Sequence, residues 1–121
     1  MGSYFNKGET IKIFDGVTIS SAAGSTSAAV KLSQSSGAIG GHMVADGPAT
    51  VTVKVRNGGL TFIPPVDNFG SSLASVASLE ASGSVALPVV LPAFEEYEFT
   101  VSTTSVSDVT VSFYIYLDNK E

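Results

Sequence analysis

The sequence predicts an all-β protein, an antiparallel β-sandwich of jelly-roll-like or Ig-like type with about eight or nine strands. Two observations carry this. Between Leu87 and Leu117, Tyr97, Phe99 and Val101 alternate with Glu96, Glu98, Thr100 and Ser102, and Val109, Val111, Phe113, Ile115 and Leu117 alternate with Thr110, Ser112, Tyr114 and Tyr116. Successive strand side chains point to opposite faces, so these runs read as strands buried on one side only. Turn signals also recur roughly every 8–12 residues along the chain, the spacing of a sandwich or barrel.

Taken in order, Glu9–Phe14 (ETIKIF) reads as a first strand, and Asp15-Gly16 as a turn into Val17–Ser20, giving a hairpin. Ser20–Ser27 is a small-residue loop, Ala28–Leu32 a strand, and Gln34–Gly41 a loop again. His42–Ala45 is a weak strand ended by Asp46-Gly47-Pro48. Ala49–Arg56 (ATVTVKVR) alternates cleanly, Asn57-Gly58-Gly59 is a tight turn, and Leu60–Ile63 returns as the hairpin partner until Pro64-Pro65 stops it. Leu73, Val76 and Leu79 are spaced by three, which suits one short helix near 71–80, with an irregular loop as the alternative. Ser84–Leu91 alternates again, and the two C-terminal runs pair as an antiparallel hairpin across Ser102–Asp108. With no internal repeat and no linker, residues 1–8 form an N-terminal arm and 9–121 a single sandwich domain.

Composition narrows the function classes. Apolar residues make up 44% of the 121 and charged residues only 14%, against roughly 25% charged in ordinary globular proteins. Serine, threonine and glycine supply the polarity, and such a weakly charged surface suits a chain packed against copies of itself or a larger assembly. A net charge of −5 with six scattered basic residues argues against binding the phosphates of nucleic acid. No apolar run reaches the ~20 residues of a helical membrane span. The absence of cysteine rules out disulfides and thiolate metal sites. The start of the chain lacks the apolar centre of a secretory signal, so either no such export is used or a signal has been removed.

No residue pattern in the chain forms a catalytic site, and none implies a cofactor. His42 is the only histidine and no GxSxG motif accompanies it. Glu95, Glu96 and Glu98 form an acidic cluster, but carboxylates two apart on an exposed strand are ordinarily solvated, and there is no tryptophan to floor a sugar cleft. The remaining aspartates fall singly at turns, where they cap backbone groups. Apolar residues in polar settings are more informative. Tyr114 and Tyr116 lie opposite the core residues of the last strand, either as a half-exposed aromatic ladder or as a subunit interface. The segment Phe62–Phe69 (FIPPVDNF) is either a rigid core plug or a preshaped contact element in which Phe62, Pro64, Pro65 and Phe69 meet a partner. Tyr4 and Phe5 form a docking arm.

The order of Asp15–Leu32, the Ala49–Phe62 hairpin and the closing Leu91-Pro92-Ala93-Phe94 to Leu117 segment resembles small β-sandwich structural proteins of tailed bacteriophages. Where relatives carry a basic residue after the Leu-Pro, this chain is acidic at Glu95, Glu96 and Glu98. The resemblance implies a non-enzymatic virion protein, assembled in the host cytoplasm. It would be a capsid decoration (cement) protein on the outer capsid surface, or a tail or head–tail accessory protein. Implied partners are the major capsid protein or other virion proteins and further copies of the chain, a trimer being favoured. Nucleic acid and membrane are not expected partners. Two rival readings are a carbohydrate-binding or host-recognition module, and a small hydrolase in which His42 or the Glu95–Glu98 cluster forms a pocket.

Overall fold

In a computed structural model, which describes residues 7–20, 25–31, 38–90 and 94–119, eight strands form two four-stranded antiparallel sheets. The strands are β1 (Lys7–Ile19), β2 (Ser25–Lys31), β3 (Ala38–Ala45), β4 (Ala49–Arg56), β5 (Ser75–Leu79), β6 (Gly83–Val90), β7 (Glu96–Ser102) and β8 (Val109–Asn119). One sheet has the order β1-β8-β3-β6 and the other β2-β7-β4-β5. The pairs β1·β8, β2·β7, β3·β6 and β4·β5 are those of one long ribbon folded at its middle. Wrapping that ribbon brings β8 against β3 and β7 against β4. This is the eight-stranded jelly roll, which settles the choice between the two sandwich types.

The C-terminal runs therefore do not form a hairpin. β7 and β8 lie in different sheets, and the connection between them crosses the end of the sandwich. Period-two alternation fixes which side chains turn inward but not which strand lies alongside. Tyr97, Phe99 and Val101 of β7 and Val109, Val111, Phe113 and Ile115 of β8 are all buried. Their faces cover one another, with the Phe99 and Phe113 rings 6.1 Å apart and Tyr97 stacked 6.3 Å from Phe99. The crossover is tied to its neighbour, the β3–β4 connection. The Thr103 hydroxyl donates to the Pro48 carbonyl at 2.6 Å, and Asp46 accepts from Thr110 N–H at 2.7 Å.

The other departures also come from local irregularities that sequence patterning hides. Asp15-Gly16 is not a turn: β1 runs through it along β8. Strict alternation from Ile11 and Ile13 to Val17 and Ile19 would aim Asp15 at the core. Two register shifts, at Lys12/Phe14 and Phe14/Val17, instead bury Phe14 and expose Asp15. Gly16, at φ 65°, takes the left-handed conformation such a bulge favours, and its N–H donates to the Ser112 hydroxyl at 2.9 Å. No helix occupies 71–80. That segment holds β5, in which a bulge opposite Val51/Thr52 turns both Val76 and Ala77 inward and so mimics helical spacing. Leu60–Ile63 does not return as a strand; its backbone pairs with β4 at a single isolated bridge, Val55↔Ile63, and the strand partners of β4 are β7 and β5. The weak strand at His42 lies within β3, an interior strand of its sheet.

The core makes two checkable claims. Phe99→Ala removes the ring between Tyr97 and Phe113 and lowers unfolding stability by about 3–5 kcal/mol in urea titration. Burial raises the Tyr97 hydroxyl above its ordinary pKa of 10.0, opposed by the hydrogen bond its oxygen accepts from Phe94 N–H. The folded chain then holds this proton more tightly than the unfolded one. The Tyr97 contribution is complete below about pH 10 and is lost as pH rises further. Tyr97→Phe is expected to cost about 1 kcal/mol at neutral pH, by loss of the hydrogen bond. It should also flatten the alkaline fall in stability measured above about pH 10.

Candidate interaction surface

Every chain connection but one passes between the sheets; β4 and β5 lie side by side in the same sheet. Their connection, residues 57–74, is long, and its exposed side chains are unusually apolar. Leu60, Ile63, Val66 and Phe69 are 69%, 60%, 58% and 94% exposed. Contiguous exposed apolar groups of this kind mark contact surfaces on soluble proteins. Leu60, Ile63 and Val66, with Pro64 and the half-buried Phe94, border an apolar groove of about 300 Å³ beside Arg56 and Asn57.

The loop is built rather than loose. At its base Ile63 and Val55 exchange both backbone hydrogen bonds, at 2.8 and 3.0 Å. Further out, Leu73 N–H donates to the Pro65 carbonyl at 2.9 Å, and Asp67 N–H donates to Ser71. At the tip one Asp67 carboxylate oxygen accepts from Phe69 N–H at 2.8 Å and from Ser71 N–H at 2.9 Å. This local cap holds the turn while the Phe69 ring projects into solvent. Pro65 is buried, and the preceding Pro64 is exposed.

The acidic cluster clamps this loop to the sheet. Glu96 accepts from Arg56 through Nε at 2.9 Å and pairs with its second terminal nitrogen at 2.8 Å. Glu95 accepts from Gly58 N–H at 2.8 Å, while Glu95 N–H donates to the Asn57 side-chain oxygen at 2.7 Å. The Arg56 guanidinium also lies 4.2 Å from the centroid of the half-buried Phe62 ring, a cation–π contact. Glu98 stands opposite Lys54 in the β4–β7 register.

The outer face of the other sheet carries the two tyrosines. Tyr116 is 47% exposed, while Tyr114 is half-buried and donates from its hydroxyl to Asp15. The Asp15 hydrogen bond, with desolvation adding to it, raises the Tyr114 pKa. Lys12 lies 4.0 Å from Asp15 and 5.7 Å from the Tyr114 ring centroid. His42 sits beside Tyr114 in the β3–β8 register, on the sheet that does not contain Glu95–Glu98.

The expected contact residues thus divide. Phe62, Pro64, Pro65 and Phe69 share the β4–β5 loop, but Phe62 is packed under Arg56 and Pro65 is buried, while Pro64 and Phe69 are exposed. Leu60, Ile63 and Val66 are exposed as well: the strand expected over Leu60–Ile63 hides the first two, and nothing in the FIPPVDNF pattern marks Val66. Tyr114 and Tyr116 belong to a separate face, and Tyr4 and Phe5 lie outside the described residues. The hydrolase arrangement fails on geometry: His42 and the glutamates occupy different sheets, and Glu95 and Glu96 are engaged in holding the loop. Among the described residues no three His, Asp or Glu side chains gather as a metal site requires.

No family model and no curated protein matches the chain. Solved structures share its fold. The infectious bursal disease virus VP2 subviral particle aligns over 95% of this chain and 33% of that one, at 14% identity and a TM-score of 0.58. The PBSX exported protein XepA aligns over 93% and 38%, at 13% identity and a TM-score of 0.65. The T13 infectious bursal disease virus particle aligns over 93% and 31%, at 14% identity and a TM-score of 0.51. At these identities the likeness is one of fold, an eight-stranded jelly-roll sandwich. The chain spans about a third of the length of each of these proteins.

Proposed function

We propose that the chain is a non-enzymatic virion structural protein that acts by docking. In its specific form it is a decoration protein on the outer capsid surface, bound to the major capsid protein and to its own copies in a symmetric cluster, a trimer being favoured. The observation that carries this reading is the β4–β5 loop. It places Leu60, Ile63, Val66 and Phe69 in water on a backbone already fixed by hydrogen bonds. A preshaped loop has little conformational freedom left to lose on binding, so its apolar burial is expressed as affinity. Phe69, a large ring with no cover, is the expected hot spot. The low charge of the chain and a fold shared with viral particle proteins support the same reading. A tail or head–tail accessory protein would use the same element against a different partner.

Light scattering of the purified protein, followed by co-sedimentation with undecorated heads, tests this. A small symmetric oligomer that saturates the shells is expected, with Phe69→Ala weakening binding more than about tenfold while leaving the melting temperature unchanged. A monomer that sediments with no shell or tail preparation, or binding indifferent to Phe69→Ala, would overturn it.

A further inference from the structure

We propose that the outer face of the β1-β8-β3-β6 sheet carries a shallow binding site for an uncharged hexopyranose, floored by Gly40 and walled by Tyr116, Tyr114 and His42. The registers define it row by row. Thr10, Tyr116, Gly40 and Pro88 lie side by side across the four strands, and Lys12, Tyr114, His42 and Ala86 form the next row. Between them opens a cleft of about 320 Å³, within the range of about 300–1,000 Å³ typical of small-ligand sites.

Two neighbouring glycines show why the cleft needs explaining. A Cβ on Gly41 would meet Val89 Cγ2 at 2.5 Å, so glycine there lets β3 pack against the core. At Gly40 a Cβ would meet nothing within 4 Å, and Gly40 is not among the positive-φ glycines. Glycine inside a strand costs about 0.5–1 kcal/mol relative to alanine. Neither packing nor backbone geometry recovers that cost at Gly40. What the missing side chain provides is open space beside Tyr116.

The lining suits a sugar. A pyranose has an apolar C–H face and a rim of hydroxyls. Tyr116 and Tyr114 present aromatic surface for the first, and the His42 ring nitrogens and Thr10 hydroxyl offer donors and acceptors for the second. Among the described residues, no side-chain hydrogen bond of His42 or Tyr116 would have to be broken. The nearby charges are already matched, Asp15 being held by Lys12 and the Tyr114 hydroxyl, which favours a neutral ligand. Its walls are rings with polar tips, Tyr114, Tyr116 and His42, whereas the groove of the β4–β5 loop is bordered mainly by aliphatic side chains. The site lies on the other sheet from that loop and is measured on isolated protein, so it stands or falls separately from the docking reading.

The test is an array of uncharged glucose, galactose, mannose and N-acetylglucosamine trimers, followed by an amide NMR titration with the trimer bound best. Saturable binding is expected, with shifts centred on Gly40, His42, Tyr114 and Tyr116. Gly40→Val should keep or raise the melting temperature, because the strand gains a β-branched residue in open space. It should also weaken binding by more than about tenfold by filling the cleft. Tyr116→Ala should weaken binding by a similar factor, which keeps the proposal testable should Gly40→Val misfold. No trimer bound at about 10 mM, weaker than any useful site, would overturn it. So would binding that both variants leave intact, or shifts centred on the β4–β5 loop.

Discussion

The packing of β7 against β8 across the interior organises the rest of this molecule. The two strands follow one another in the chain, and each has one apolar face of buried residues. Laid side by side as a hairpin, those faces would form half of a single surface still in need of a cover. Set in opposite sheets they cover each other, with Phe99 against Phe113 at the centre. That choice forces the chain over the end of the sandwich. The same crossing recurs at six of the seven connections.

The connection that does not cross is free to lengthen, and there the protein places its exposed apolar groups. β4 and β5 share an edge, so residues 57–74 owe nothing to closing the sandwich. The Arg56–Glu96 pair and the reciprocal Asn57–Glu95 contacts fasten the base of the loop, and Asp67 fixes its tip. Burial of Pro65 and packing of Phe62 under Arg56 make the loop an extension of the fold. The opposite face is built on other principles, with tyrosines, a histidine and a vacant glycine position rather than an aliphatic cluster.

Much of this was legible in the sequence because alternation reports burial directly. The inward residues of β4, β7 and β8 could be named one by one. Partner choice was not legible, since a period of two is indifferent to whether the next strand lies beside or across. Bulges hid the rest: at Phe14 and Asp15 they turned a continuous strand into an apparent hairpin, and at Val76 and Ala77 a strand into an apparent helix. Of the exposed apolar loop, the Pro-Pro segment with Phe69 could be picked out. The role of Glu95 and Glu96 as loop anchors could not, because their partners Asn57 and Arg56 lie about forty residues away in the chain.

Docking through the β4–β5 loop requires the loop to hold its shape before any partner arrives. Amide hydrogen exchange of the isolated protein measures this directly. The N–H groups of Ile63, Asp67 and Leu73, each bonded within the loop or to β4, should exchange at least about a hundredfold slower than unstructured amides, approaching the strands they adjoin. Exchange at the unstructured rate would mean a loop that orders only on binding, and would contradict the account.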